Sequence, residues 1–291
     1  MKGRWARFVL ALGEALGSAA WALGLRKRVA LDGLRRAFPE RTEQERRATG
    51  RAAYRQLGRS LAEVALAPGV RDPDLEDLVR FDNWDLYESA RALGRGVVVA
   101  VAHFGNWELL ARACARRGVP LTAITRALRG RLNQQLLAAR RQGGLRELPD
   151  KGSSGAAVRL LRRGETLALM VDQNMRPSRG IFVDFFGEPA CTTPAAAVLS
   201  LRSGAPLLAA FPIRTADGTH RVRVMGPFAP PPGTRGRSAV LALTQEVTSA
   251  VERAIREHPD HWFWVHRRWK TRPSGSAPAG RAPNLPPPRN S

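Results

Sequence analysis

Only two cysteines, Cys114 and Cys191, occur in 291 residues, too few for a disulfide framework and without C-x-x-C spacing. Both are expected to be reduced and structural. No set of His, Cys, Asp and Glu has metal-ligand spacing, so neither a metal site nor another bound cofactor is expected. Also missing are the G-x-S-x-G elbow, the P-loop and a dinucleotide fingerprint after a strand, which removes the commonest signatures of serine hydrolases, nucleotide hydrolases and nicotinamide enzymes. Lysine is confined to positions 2, 27, 151 and 270, so the basic charge is nearly all arginine.

Acidic residues are outnumbered, 25 against 47 Lys plus Arg, for a formal net charge of +22. Such a surface attracts polyanions. Nucleic acid, anionic lipid headgroups and an acidic carrier protein all satisfy that charge, and a GC-rich genome alone produces an arginine bias. Charge therefore selects no partner by itself.

An uninterrupted membrane-spanning run is lacking too. Residues 5–25 are apolar overall, but Arg7 and Glu14 interrupt them, and a central charge costs about 2.5–3.5 kcal/mol on insertion scales. On a helix Trp5, Phe8, Val9, Leu12, Leu16, Ala19 and Leu23 share one face, with Arg7, Glu14 and Ser18 on the other. A membrane anchor, spanning or interfacial, is the expected reading. A cleaved signal peptide and a plain buried helix are the competing ones.

What is present is alternation. Apolar runs at 97–102, 120–125 and 166–172 read as strands; 107–117, 131–142 and 154–163 between them read as helices. Helices are also expected at 43–66 and 84–93, and another opens at Thr193-Pro194 and closes at Gly204. Strands over Pro206–Ile213 and His220–Val224 and a long helix over 237–257 complete the pattern. The expected fold is α/β, a mostly parallel central sheet flanked by helices. The expected organisation is an anchor at 1–28, one catalytic or binding body at 29–273, and a disordered Pro-rich tail at 274–291.

The stretch VVVAVAHFGNWE, residues 97–108, places a histidine and a carboxylate at the end of a buried strand. On one continuous helix His103 and Glu108 would stand roughly 140° apart. The sequence instead breaks between them: Gly105 permits a sharp turn and Asn106 is a good N-cap for a helix beginning at Trp107. His103 then folds back toward Glu108 at the carboxyl end of a parallel strand, where α/β sheets place ligands. One reading is a general base with an orienting carboxylate. The other is a carboxylate complementing its helix N-terminus beside a histidine that satisfies buried backbone. With no enzyme nucleophile in view, the catalytic reading requires a substrate that brings its own hydroxyl.

H-F-G-N-W-E resembles the His-x4-Asp/Glu motif of glycerolipid-type acyltransferases, specifically the late lipid A acyltransferases of Gram-negative bacteria. The stretch from Lys151 to GETLALMVDQN, the segment RGIFVDFFGEPACTTPAA, the closing HPDHWFWVHRRWKTRP and the early DGLRRAFPERTEQER resemble further family blocks in order, so the likeness covers roughly residues 5–273. It departs where Asp184 stands in place of a commoner proline and where Cys191 precedes the threonines, changes expected to bear on acceptor or chain length more than on chemistry.

The resemblance implies an acyltransferase fold and transfer of a fatty acyl group from acyl carrier protein, as co-substrate, to a hydroxyl of a lipid A precursor. By the same resemblance the reaction would take place at the cytoplasmic face of the inner membrane, among its lipids, with no nucleic acid as partner. His103 would deprotonate the hydroxyl and Glu108 would orient it; Arg126, Arg140, Lys151 and Asp172 match charged functional positions and are carried over as substrate contacts. Asp172, a charge ending the apolar strand LALMV, also admits a role in fixing an arginine. Trp262, Trp264 and Trp269 beside Arg267, Arg268 and Lys270 fit an interfacial belt or a core cluster equally. The alternatives are the same chemistry on a lysophospholipid or a phosphoinositol mannoside, and a non-enzymatic nucleic-acid binder using HRRWK.

Overall fold

The computed structural model describes residues 4–66, 72–125, 137–138 and 140–274. Helices α1 (Arg4–Ala22), α2 (Lys27–Ala37), α3 (Glu43–Leu66) and α4 (Asp72–Leu78) precede β1 (Val79–Asp82), α5 (Trp84–Ala92), β2 (Val97–Val101), α6 (Trp107–Arg116), β3 (Leu121–Thr125) and β4 (Arg146–Pro149). Then come α7 (Ser154–Arg162), β5 (Thr166–Met170), β6 (Ile181–Phe185), β7 (Glu188–Thr192), α8 (Ala195–Ser203), β8 (Leu207–Arg214), β9 (His220–Phe228) and α9 (Gly236–Glu257).

Seven strands form one sheet in the order β1-β9-β8-β2-β5-β3-β4. From β8 to β4 all neighbours are parallel. β9 runs antiparallel to β8 and carries β1 as a parallel edge, so the sheet is mostly parallel as expected, with a mixed edge that the sequence pattern did not announce. The unbroken apolar character of β2 follows from burial on both faces. Val98 and Ala100 enter the larger core with α7, α8 and α9, and Val97 and Val101 enter two smaller cores against α4, α5 and α6.

Local signals place most elements. Thr42 and Glu45 cap α3 reciprocally: the Thr42 hydroxyl accepts the Glu45 N–H at 3.2 Å and the Glu45 carboxylate accepts the Thr42 N–H at 2.7 Å. The β6–β7 hairpin turns through Phe186 and Gly187, both at positive φ (58° and 74°), a conformation suited to the right-handed twist of a two-residue hairpin. Of the helix expected over 131–142, residues 137–138 and 140–142 are described and are helical. The tail from 275 onward lies outside the described residues.

The helix expected as an anchor is packed on the body along one face. Gly13 and Gly17 of α1 meet Gly58 and the Tyr54 carbonyl of α3 so closely that a Cβ at either glycine would collide with α3 backbone. Trp21 closes this seam, edge-on to Tyr54 at 5.3 Å. Glu14, the charge that interrupts the apolar run, is on this side too, bonded to Arg59 at 2.8 Å and Arg55 at 3.2 Å. The opposite face carries Trp5, Phe8, Leu16 and Leu23, each 58–77% exposed. No single described helix is long and apolar enough to cross a membrane; α1 and α2 pass that test only as a pair bent by 87°.

Candidate active site

β2 ends at Val101, and the chain turns at Gly105 (φ 57°), whose N–H donates to the His261 carbonyl at 2.8 Å. A Cβ at Gly105 would collide with the Pro212 carbonyl, so this turn accepts glycine alone without a shift of β8. Asn106 then caps α6 as expected, its side chain accepting the Leu109 N–H at 3.0 Å. His103 is left on the strand side of the turn, its ring edge-on to Trp107 at 5.2 Å and 20% exposed.

The carboxylate on this histidine is Asp172, where the sequence reading placed Glu108. Asp172 Oδ1 lies 2.8 Å from His103 Nδ1, and Oδ2 accepts the His103 backbone N–H at 2.9 Å and the Trp262 indole N–H at 2.8 Å. The reason is strand register. β2 and β5 pair with Val101 opposite Met170, so two residues further on His103 and Asp172 stand side by side. Burial works against ionisation of Asp172, but the charge and hydrogen bonds of His103 and the Trp262 bond overcome it and bring its pKa down to about 2. Burial also works against the imidazolium, yet attraction to Asp172, the hydrogen bond and the charge of Glu108 raise His103 above its usual 6.5.

Glu108 is in the same cleft with other partners. Arg140 grips it with two guanidinium nitrogens, one of them Nε at 2.9 Å, and the Trp107 indole donates to it at 3.1 Å. Arg140 also reaches Glu147 at 3.3 Å, so it serves to fix a carboxylate rather than standing free for substrate. Lys151 is exposed on the cleft wall, and Arg126 lies outside the described residues.

The cleft encloses about 1400 Å³, above the 300–1,000 Å³ of a usual small-molecule pocket. Its inner wall is apolar, with Val99, Val101, Leu110, Ala168, Met170 and Leu199; its mouth carries Arg26, Lys151, Arg176, Arg179, Arg267 and Lys270. Among the described residues none of these six cations has an ion-pair partner, whereas arginines elsewhere in the fold are commonly matched to carboxylates, as Arg36 is to Glu188 and Arg221 to Asp82. An apolar interior behind unmatched cations suits a long hydrocarbon chain on an anionic head.

Three residues of the site escaped the sequence reading. Gln173 puts its amide 3.3 Å from His103 Nε2, Trp262 braces Asp172, and His266 lines the cleft beside them. The available signal was polar: Asp172-Gln173-Asn174 abruptly ends an apolar strand. The three late tryptophans are core aromatics and not an interfacial belt, since Trp262, Trp264 and Trp269 are at most 7% exposed, with Trp262 edge-on to Trp264, Trp269 and Phe185 and Trp269 stacked on Phe185. Arg268 is buried with them, which takes the aromatic and one of the basic residues of HRRWK off the surface, while Arg267 and Lys270 stay exposed at the cleft mouth. Asp184 and Cys191 are not among the described cleft-lining residues; Asp184 accepts the Gly187 N–H in the hairpin turn.

The family model described as bacterial lipid A biosynthesis acyltransferase matches residues 6–271. The chain belongs to this family. It is an acyltransferase, as the resemblance of its motifs implied. Among its relatives are the lipid A biosynthesis palmitoleoyltransferase of Escherichia coli (strain K12), 27% identical over 269 residues, and the lauroyltransferase of the same organism, 28% identical over 266 residues; each alignment covers 91% of this chain and 86% of the relative. The phosphatidylinositol mannoside acyltransferase of Mycobacterium tuberculosis (strain ATCC 25618 / H37Rv) is 28% identical over 228 residues, covering 75% of this chain and 69% of that protein.

Proposed function

We propose that this acyltransferase moves a fatty acyl chain from an acyl carrier protein thioester to a hydroxyl of a lipid A precursor, forming an acyloxyacyl ester. His103 Nε2 takes the proton of the acceptor hydroxyl as its oxygen attacks the thioester carbonyl. When the tetrahedral adduct collapses, the C–S bond breaks and the departing thiolate receives that proton from His103. No covalent acyl-enzyme is formed. The observation that carries this reading is the His103–Asp172 pair, with Nδ1 held and Nε2 facing a large cleft that has an apolar wall and a cationic mouth. Proton transfer by such a base supplies about 10²–10⁴ in rate.

In this proposal Asp172 orients the base. Glu108, fixed by Arg140, supports the imidazolium by its charge, while Lys151 and Arg126 contact the anionic parts of either substrate. The mouth cations match phosphates on a lipid A precursor and acidic groups on the carrier. A second acceptor, a phosphatidylinositol mannoside, is kept because of the mycobacterial relative; it too joins phosphate to a hydroxyl-rich head.

Mass spectrometry decides between them. The purified protein is incubated with a pool of acyl carrier protein thioesters and, separately, a tetra-acylated lipid A precursor, a phosphatidylinositol mannoside and a lysophospholipid. One added chain on the lipid A precursor, lost in His103→Ala, is expected. Acylation confined to another acceptor replaces the substrate and keeps the base; transfer undiminished in His103→Ala removes the mechanism.

The exposed apolar face of α1 is proposed to rest in the membrane interface, bringing the cleft to the cytoplasmic face of the inner membrane. Trp5→Ser, Phe8→Ser and Leu16→Ser combined are expected to shift the protein from the floating to the soluble fraction in a flotation assay with phosphatidylglycerol-containing vesicles. The α1–α3 seam is untouched by these changes, so unfolding should not accompany release. Undiminished flotation would refute the assignment.

A further inference from the structure

The site contains a second histidine whose orientation is fixed as firmly as that of His103, and its chemistry is the complement. Three consecutive residues after β5 set both rings. Asp172 holds Nδ1 of His103, Gln173 lies against its Nε2, and the Asn174 backbone N–H donates to Nε2 of His266 at 2.8 Å. Asn174 is itself immobilised: its side chain donates to Thr271 Oγ1 at 3.0 Å and accepts the Thr271 N–H at 3.0 Å.

A backbone N–H can only donate, so Nε2 of His266 must offer its lone pair, and a neutral His266 carries its proton on Nδ1. That atom has no hydrogen-bond partner among the described residues, and His266 lines the cleft that His103 enters. The ring stays neutral for a physical reason. Burial, and then the positive neighbours Arg268, His103 and Arg26 against the attraction of Asp172, hold it below the usual histidine range. With Nδ1 bonded to Asp172, His103 keeps its lone pair on Nε2, beside the Gln173 amide at 3.3 Å, and His266 offers an N–H from Nδ1.

Acyl transfer requires both. The hydroxyl proton needs an acceptor, and the thioester carbonyl oxygen, which becomes an oxyanion when the hydroxyl oxygen bonds to its carbon, needs a donor. A neutral imidazole N–H is suited to that task because it does not surrender its proton to the oxyanion. We propose that His266 Nδ1–H is the donor to the thioester carbonyl oxygen, making His266 a catalytic residue. The assignment rests on the acyl-transfer reading above. No proton leaves His266 in the step: the oxyanion collapses, the C–S bond breaks, and the thiolate is protonated by His103.

The test compares His266→Ala, His266→Leu and His266→Asn with the unsubstituted protein. Each is assayed with the carrier thioester and lipid acceptor that the unsubstituted protein uses best, and kcat and KM are determined across pH. Loss of one such donor costs on the order of 10²–10³ in kcat, so Ala and Leu are expected to fall by that factor with KM for the thioester nearly constant. Asparagine can accept the Asn174 N–H with its amide oxygen and offer an N–H to the cleft, and should recover roughly tenfold or more of the loss. The acidic limb of the pH profile should stay in place, because the base is unchanged. Wild-type kcat in His266→Leu, equal losses in Leu and Asn, or a loss confined to KM overturns the assignment. If leucine unfolds the protein, the ratio of Asn to Ala decides. Absence of transfer by the unsubstituted protein to any acceptor fails the reading itself, separately from His266.

Discussion

Asp172→Asn is expected to lower transfer by roughly 10³–10⁴ while leaving the fold intact, the scale seen when a histidine base is locked in the wrong tautomer. Two donors, the His103 backbone N–H and the Trp262 indole, converge on Oδ2 at 2.9 and 2.8 Å. The amide oxygen of asparagine must stay there, which puts its NH₂ where Oδ1 now faces His103 Nδ1. An NH₂ opposite Nδ1 forces that nitrogen to accept, and the imidazole proton moves to Nε2, the atom that must receive the hydroxyl proton.

The pH profile gives a second readout. Since Asp172 raises the His103 pKa, the active, unprotonated base appears only above the usual 6.5, and activity climbs with pH on that limb. Removing the negative charge lowers the His103 pKa, so the limb of residual activity in Asp172→Asn moves to lower pH. Glu108→Gln should move it in the same direction by less, because Glu108 acts on His103 through charge without a hydrogen bond. An acidic limb that stays fixed in Asp172→Asn, or that moves further in Glu108→Gln, reverses the roles of the two carboxylates.

How far such a site is legible from sequence depends on the range of the interaction that builds it. The apolar run of β2, the glycine turn and the Asn106 cap are all written within twelve residues, 97–108, and they place His103 at the mouth of a buried strand. The partner of the histidine is 69 residues away, and nothing local chooses Asp172 over Glu108. Strand order does, through the β2–β5 pairing, and a period of apolar residues does not encode strand order. Edge strands were lost for a related reason: β4, RELP, has a single large apolar residue and ends in proline, and β1, VRFD, is only four residues long. The tryptophans of the closing block illustrate the limit of composition, since an aromatic beside an arginine reads the same at a membrane interface and in a core until burial is known. Glu14 is the converse case. In sequence it argues against a helix that spans the membrane; in the fold it faces α3 and leaves the apolar side of α1 uninterrupted.

Removal of Glu63 should be the most damaging single change outside the cleft, costing about 3–5 kcal/mol, because it strands a buried cation. Glu63 is 2% exposed on α3, and both guanidinium ends of Arg214 on β8 bond to it, one at 2.8 Å; His220 on β9 lies against it as well. Its Oε2 also accepts from the side chain of Asn106 at 2.8 Å, which ties the cap of α6, and so the turn carrying His103, to the end of β8 and the start of β9. Burial opposes ionisation of Glu63, but the hydrogen bonds from His220 and Arg214 outweigh it and bring its pKa from 4.5 down to about 2. The sign follows from the depression: the ionised carboxylate stabilises the fold fully above 4.5, and this contribution is lost as pH falls toward about 2. Urea unfolding of the unsubstituted protein and Glu63→Ala should therefore differ most near neutrality, with the gap closing between pH 4.5 and 2. Pairing Glu63→Leu with Arg214→Met should recover much of the loss, since replacing both charges by apolar groups leaves nothing buried and unmatched. A Glu63→Ala cost below about 1 kcal/mol, or one that persists unchanged at low pH, would mean that water reaches Arg214 and that the network holds the histidine turn by packing instead of charge.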